Sequence, residues 1–507
     1  MLSLFIGSLG AFCALSFLDI PMLWMIAILG ALDLWLVGGY ISVAAIMGRH
    51  FEFLHGIFVL DPLGGFFLAI LSVVAGAVVL YNFGEIRQRG ETKLAAHQSS
   101  FSLGLTFAFI IAMILSVSGK NLGLIWVCVE GTTLISALSI GILNDKSALE
   151  AAWKYVILCT VGLSFSLFGL ILIIHGATAA GFEPSLEPDA LALMVAKFSP
   201  SLLKLAFILI LVGYGTKAGF APVHSWLPDA HSQAPAPTSA LLSAVLLNCS
   251  LYAIIRTAGI MQAAGLGSFA KICLVWFGLM SITLATFFLL VQSDLKRMLA
   301  YSSIEHIGLA ALGFGLGTPL SIFAALLHLI GHSAAKALAF LSAGEMVHIF
   351  HSHEMIRMVG AIRRMPVTGG GLALAMVVLS GMPPFSIFFS ELLLIWAALT
   401  AGNIFLASLV LICLATAFSG IVFQGTRVLL GEDIQHHHHD ESHDHNGVQD
   451  PGWAADDHIE EANVGFSWRR FSMIVLMIVV FIVPIFFFSP FQEAIVRIAE
   501  FIPGGLR

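Results

Sequence analysis

Two of the 23 lysines and arginines, Lys217 and Lys336, stand deep inside long apolar runs. The carboxylates Glu130, Glu305, Glu391 and Asp33 do the same, and Glu345 stands near the end of one run. A charge at the centre of a bilayer costs at least about 2.5–3.5 kcal/mol, so a residue kept there generally serves a function. The chemistry open to this set is proton transfer. A lysine stripped of water yields its proton more readily, and a nearby carboxylate holds that proton in place. Glu130 and Lys217 can form such a coupled pair, and their separation would free the proton. Histidine titrates near neutral pH and suits onward relay. His328, His332 and Lys336 are spaced by four and share one stripe of a helix. The path read from these residues runs through Glu130, Lys217 and His231, with His224 nearby. It continues through Glu305, His306, His328, His332 and Lys336, and Glu391 is the terminal donor to the far side.

Blander readings stand beside this one. A buried charge can belong to a structural ion pair or snorkel from a helix end, and Asp33 has little else polar around it. A histidine pair at i, i+4 can hold a metal, but zinc normally needs a third or fourth ligand. A buried histidine can also be plain packing.

The elements that must position these groups are membrane helices. Of 507 residues, 59% are apolar and only 10% charged, against roughly 25% charged in a soluble domain. Charge-free stretches cover 62–84, 155–182, 230–255, 272–293, 306–335, 392–426 and 471–492, and a helix needs about 20 residues to cross the hydrocarbon. A water-soluble globule is excluded. Lys+Arg is 23 against Asp+Glu 30, with no basic stretch, which excludes a nucleic-acid binder. The runs are solidly apolar rather than alternating, which excludes a transmembrane barrel. The fold expected is an all-α polytopic membrane protein with about fourteen spans. These lie near 2–18, 21–47, 60–83, 101–118, 121–143, 154–175, 203–227, 236–260, 270–291, 298–316, 318–347, 370–398, 404–430 and 470–490. Residues 2–18 lack a positive n-region and a cleavage pattern, so they read as a retained helix rather than a signal peptide.

Loops after odd-numbered spans hold thirteen Lys and Arg residues and the other side holds eight. The odd side is therefore expected to be cytoplasmic, with both termini outside. Two spans carry interior proline. Span 7 reads Gly213-Tyr-Gly-Thr-Lys217-Ala-Gly-Phe-Ala-Pro222, and span 12 reads Ser380-Gly-Met-Pro-Pro-Phe385. Proline removes a backbone donor and breaks the helix, and broken helices in matching positions mark inverted-repeat transporters. The expected organisation is a three-helix segment (1–100), a first repeat of spans 4–8 (101–260) and an inverted second repeat of spans 9–13 (270–430). A hydrophilic loop (431–469) and a C-terminal helix and tail (470–507) follow.

The stretch Lys217-Ala-Gly-Phe-Ala-Pro-Val-His224-Ser-Trp-Leu-Pro-Asp229-Ala-His231-Ser-Gln-Ala-Pro235 resembles the signature of antiporter-like proton-conducting membrane subunits. These occur in respiratory complex I, in group 4 membrane-bound hydrogenases and in multisubunit cation/proton antiporters. Ala300-Tyr-Ser-Ser-Ile-Glu305-His306, His332-Ser-Ala-Ala-Lys336-Ala-Leu and Met382-Pro-Pro-Phe through Glu391 look similar too. The resemblance spans roughly residues 60–430. It implies a fourteen-helix fold of two inverted five-helix bundles. It also implies an input pair of Glu130 and Lys217, a central relay at Lys336 and an exit at Glu391. Complex I members usually carry a lysine where this chain has Asn248. Asn248, with Trp126-Val-Cys-Val-Glu130-Gly-Thr-Thr and Ile304-Glu305-His306, looks more like the component F branch of hydrogenase-4 subunits. The implied role is proton translocation in a hydrogenase-type or related respiratory complex of the cell inner membrane. Membrane and peripheral partner subunits would carry any nickel–iron and iron–sulfur centres. The alternatives are Na+/H+ exchange in a complex I or antiporter subunit and a proton-coupled partner in inorganic-carbon uptake.

No cofactor is expected in this chain. Cys13, Cys128, Cys159, Cys249, Cys273 and Cys413 are scattered in apolar stretches without iron–sulfur spacing, and no Rossmann or Walker pattern occurs. The 431–469 loop contains His436, His437, His438 and His439 among acidic residues. It reads as a solvated cytoplasmic linker, with weak zinc or nickel capture as the sharper alternative. The Arg87–Lys93 and Arg357–Arg364 loops read as anchors, with docking sites as the sharper alternative.

Overall fold

In hydrocarbon every backbone N–H and C=O must find a partner within the protein, which leaves helices for apolar runs like these. The computed structural model describes residues 1–17, 23–88, 93–431, 467–484 and 498. Helix α1 is Leu2–Ser16. α2 (Leu23–Leu32) and α3 (Gly39–Ile46) join through a π-helical turn, Asp33–Gly38, into one span. A short antiparallel hairpin, β1 (Phe51–Phe53) and β2 (Phe58–Leu60), then leads into α4 (Pro62–Gln88) and α5 (Lys93–Ser118). Next come α6 (Leu122–Ile140), α7 (Lys146–Ala179), the short α8 (Pro188–Met194), α9 (Pro200–Ala218) and α10 (Trp226–Gln233). α11 (Ala236–Leu241) passes through a π turn, Leu242–Leu246, into α12 (Leu247–Ala263). The second half comprises α13 (Gly267–Leu290), α14 (Leu295–Leu316), α15 (Pro319–Phe350), the one-turn α16 (Ala361–Arg364), α17 (Pro366–Leu379), α18 (Ser386–Thr400) and α19 (Ile404–Leu430). α20 (Trp468–Ile482) follows.

Among the described residues, eleven helical segments are long and apolar enough to cross a membrane, and Leu2–Ser16, Pro366–Leu379 and Ser386–Thr400 are shorter apolar helices. The protein is an all-α, multi-pass membrane protein, as the composition required. The span expected at 154–175 is longer, Lys146–Ala179, because Asp145 caps it by accepting a hydrogen bond from Ala148 N. The run expected at 203–227 ends at Ala218, and the run at 370–398 divides after Leu379.

The helices sort into an interior and a jacket. Residues 236–255 are wholly buried, and α4 up to Gly84, α14 and α15 mostly so, whereas the outer helices α6, α7, α13 and α19 leave much of their surface free. On α7 the free side is an apolar stripe of Trp153, Ile157, Val161, Phe165 and Phe168, the pattern of a lipid-facing helix. Close helix contacts use small residues, as membrane interfaces do. A Cβ placed on Gly213 of α9 would lie 2.7 Å from the Gly162 carbonyl of α7. One on Gly308 of α14 would lie 2.9 Å from the Gly278 carbonyl of α13.

Several charges that the sequence sorted to the membrane faces are packed inside. Arg469 is buried and pairs with Glu345 at 2.6 Å, and the Tyr81 hydroxyl donates to the same carboxylate at 3.2 Å. This ties α20 to α15 and α4. Arg256 pairs with Asp61, and buried Lys296 donates to the Ala234 carbonyl at 2.8 Å. For Glu345 the ion-pair reading therefore applies. Asp33 accepts a hydrogen bond from Ser8 at 2.6 Å, a local structural partner.

Candidate functional site

Lys217 is the penultimate residue of α9. The helix ends there because Gly219 adopts φ +82°, a left-handed conformation that suits glycine. The backbone freed by the break is satisfied from its surroundings. Trp226 Nε1 donates to the Thr216 carbonyl at 2.7 Å, and Ser281 Oγ accepts from Ala221 N at 2.9 Å. The break thus delivers a fully buried ammonium into a polar niche.

Lys217 Nζ donates to Thr133 Oγ1 at 2.8 Å and to the Tyr155 hydroxyl at 2.5 Å. Thr133 Oγ1 donates in turn to Glu130 Oε2 at 3.2 Å, and Thr160 Oγ1 donates to Glu130 Oε1 at 2.8 Å. Ser136 Oγ lies 2.7 Å from the Tyr155 hydroxyl. The expected pair is therefore joined through a hydroxyl rather than by direct contact. Thr133 can pass a proton between the lysine and the carboxylate by turning its O–H. Thr133 stands three residues after Glu130 on α6, so helical spacing alone could have nominated it. Tyr155 and Thr160 come from α7, and nothing in their local sequence signals the role.

The second half collects Glu305, His306, His328, His332, Lys336 and Glu391 on α14, α15 and α18, and His231 joins them from α10. Lys336 is fully buried and donates to the Leu299 carbonyl at 2.7 Å. His231 stacks on Phe340 with ring centroids 4.8 Å apart, and Phe340 stands one turn beyond Lys336 on α15. His306 Nδ1 lies 3.0 Å from His328 Nε2, and the His306 and His332 rings are 5.2 Å apart. His306 of α14 thus sits between the two histidines of α15. His328 Nδ1 lies 2.8 Å from Ser390 Oγ, and Ser390 precedes Glu391 on α18. Glu391 folds back on the second break. A Cβ at Gly381, where φ is +71°, would lie 3.1 Å from its carboxyl carbon. One nitrogen each of His306 and His328 and one oxygen of Glu391 lie within 4.8 Å of one another.

Between the halves, Asn248 Nδ2 donates to Ser333 Oγ at 2.8 Å and to the Ala244 carbonyl at 2.9 Å. Ser243 and Ser303 hydroxyls meet at 2.7 Å. Several buried polar atoms here make no ordinary hydrogen bond to the protein: both ring nitrogens of His231 and of His332, His306 Nε2, Glu305 Oε2 and Asn248 Oδ1. Buried polar atoms are normally satisfied, commonly by water, so this cluster has the chemistry of a wet path. The structure brings together His306, His328 and Glu391 directly, and joins Glu130 and Lys217 in a separate network through Thr133. His436, His437, His438 and His439 lie outside the described residues.

The family model described as "NADH:quinone oxidoreductase/Mrp antiporter, TM" matches residues 119–418. The hydrogenase-4 component F homolog of Methylacidiphilum infernorum is 35% identical over 74% of this chain and 79% of its own length. Subunit N of the NADH-quinone oxidoreductase of Desulforudis audaxviator is 31% identical over 71% of this chain and 70% of its own length. A chain of the membrane-bound sulfane sulfur reductase, an archaeal respiratory membrane complex, shares the fold at a TM-score of 0.79 and 21% identity, covering 99% of this chain and 98% of that one. The matched segment contains both breaks, the buried lysines and every carboxylate and histidine of the site, and the chain belongs to the NADH:quinone oxidoreductase/Mrp antiporter membrane-subunit family.

Proposed function

We propose that this chain translocates protons across the cell inner membrane as a membrane subunit of a hydrogenase-type or related respiratory redox complex. The observation that carries this is the buried Lys217–Thr133–Glu130 chain at a broken membrane helix. A buried ammonium linked to a carboxylate by one hydroxyl has a defined route for its proton, and such groups in a membrane are kept for transport. The histidines, Lys336 and Glu391 extend the path through the second half, with Asn248 and Ser333 at the junction. The two broken-helix halves act as inverted repeats. Both termini face outward, and the 431–469 loop faces the cytoplasm. Redox chemistry, with nickel–iron or iron–sulfur centres, belongs to partner subunits. The hydrogenase-4 and quinone-oxidoreductase relatives support that assignment.

The test is purification under mild detergent, identification of co-purifying subunits, and reconstitution into liposomes with a pH-sensitive dye inside. Lys217→Ala should lower proton movement at least tenfold while the complex, judged on a native gel, stays assembled. Full translocation by assembled Lys217→Ala would overturn the proposal.

A further inference from the structure

The sequence argued against a metal in the core because a histidine pair on one helix lacks a third ligand. The structure supplies one, and with a different pairing. His328 meets His306 of α14 and Glu391 of α18 rather than its helix neighbour His332. One donor atom from each of the three lies within 4.8 Å of the others. In a tetrahedral zinc site, with bonds of about 2.0–2.2 Å, neighbouring donors are about 3.4 Å apart. The two histidine nitrogens, 3.0 Å apart, are close to that spacing. The carboxylate completes it by a turn of its side chain.

The outer contacts match those of a ligated histidine, which donates its second N–H to a fixed acceptor. Ser390 Oγ donates to the Ile387 carbonyl at 2.7 Å, so its lone pair accepts from His328 Nδ1–H at 2.8 Å. That leaves the lone pair of His328 on Nε2, directed at the cluster. His306 Nε2 makes no ordinary hydrogen bond within the protein, so the outer contact is seen on the His328 ring. The His328 ring orientation is thus held by a group that is not itself a donor to the ion. The donor set of two imidazoles and one carboxylate suits zinc or a similar borderline divalent cation.

We infer that His306, His328 and Glu391 form a binding site for a divalent transition cation such as Zn2+, and that its occupation blocks the path at the second break. The blocking role rests on the transport reading above, and the binding does not. The probe is Zn2+ added to the full-length protein in its complex, with His436, His437, His438, His439, His443, His445 and His458 replaced by alanine so that the loop contributes nothing. Calorimetry should count one tight zinc per chain, and zinc-edge X-ray absorption should show nitrogen and oxygen ligands. Glu391→Gln and His328→Asn should each abolish that equivalent. Ser390→Ala keeps all three ligands and should weaken binding about 10–100-fold, which guards against misfolding of the ligand variants. Unchanged zinc stoichiometry and affinity in Glu391→Gln and His328→Asn, or no tight zinc in the parent, overturns the site. In liposomes, bound zinc should slow proton movement at least tenfold, and protons that move equally with zinc bound overturn the blocking role. Liposomes that move no protons with or without zinc sink the transport reading and leave the binding result intact.

Discussion

The first-half site and the second-half site both bury a lysine beside carboxylate chemistry, and they meet the cost of burial differently. Around Lys217 the partners are hydroxyls of Thr133 and Tyr155, and the carboxylate of Glu130 is itself held by Thr133 and Thr160. Around Lys336 the ammonium donates to one backbone carbonyl, that of Leu299, and the neighbouring His231, His332 and Glu305 present atoms without ordinary protein hydrogen bonds. A satisfied network holds a charge in place, whereas an under-satisfied one needs water or a mobile proton to complete it. On the proton-transport reading proposed above, the first half would act as a gate with a fixed bridge, and the second as a conduit.

Replacing the cations tests the conduit first. Lys336→Ala should reduce proton movement in liposomes to background, because Ser303 Oγ, which donates to the same Leu299 carbonyl at 3.0 Å, cannot supply the ammonium's proton. Retention of half or more of the rate in assembled protein would mean that the second half is not on the path. Thr133→Val should have the next largest effect. It removes the bridge while keeping Lys217 and Glu130, and hydrogen bonds to charged groups are worth about 1.5–3 kcal/mol. A fall of roughly tenfold or more is expected, and an unchanged rate would show that the carboxylate and lysine communicate by another route. Asn248→Ala should cost less, about fivefold, since it removes one neutral contact to Ser333 and leaves both lysines in place. A complete loss on that substitution would move the critical step from the lysines to the junction.

Much of this organisation was legible in the sequence, for a physical reason. The absence of charge over span-length runs forces helices, and Pro222 and Pro383 force breaks. Lys217, Lys336, Glu130, Glu305 and Glu391 stood out because charge in such runs is rare. The hydroxyl partners were not legible. Threonine, serine and tyrosine are common in membrane helices, and Tyr155 and Thr160 reach the site only through the crossing of α7 with α6 and α9. The cation count was also only partly informative. Arg256, Lys296 and Arg469 look like face markers by position, yet each is held within the protein by Asp61, Ala234 or Glu345. Sequence position gives proximity to a membrane face, and only packing shows which charges point back inside. The His306–His328–Glu391 cluster escaped for the same reason. Its members come from three helices, and the visible i, i+4 pair suggested His332 instead.

The smallest effect separates the halves by stability rather than by rate. α7 carries Tyr155 and Thr160, and its first turn is fixed by Asp145, whose side chain accepts from Ala148 N. That N–H holds the Asp145 carboxyl below its usual range. A carboxylate with a depressed folded-state pKa stabilises above its unfolded pKa, and that contribution fades as pH falls through the folded value. Asp145→Ala should cost about 0.5–2 kcal/mol, as loss of an N-cap does. The difference between variant and parent in thermal unfolding should be full near neutral pH and shrink as the cap protonates below pH about 4. Asp145→Asn keeps an acceptor at the cap and should recover most of the loss while removing the pH dependence. Proton movement should decline slightly, through loosening of the Tyr155 contact to Lys217, and zinc affinity at the His306–His328–Glu391 cluster should not change. An equal loss of that zinc affinity would show that the two halves unfold as one unit, and would remove the distinction between a fixed gate and a separate conduit.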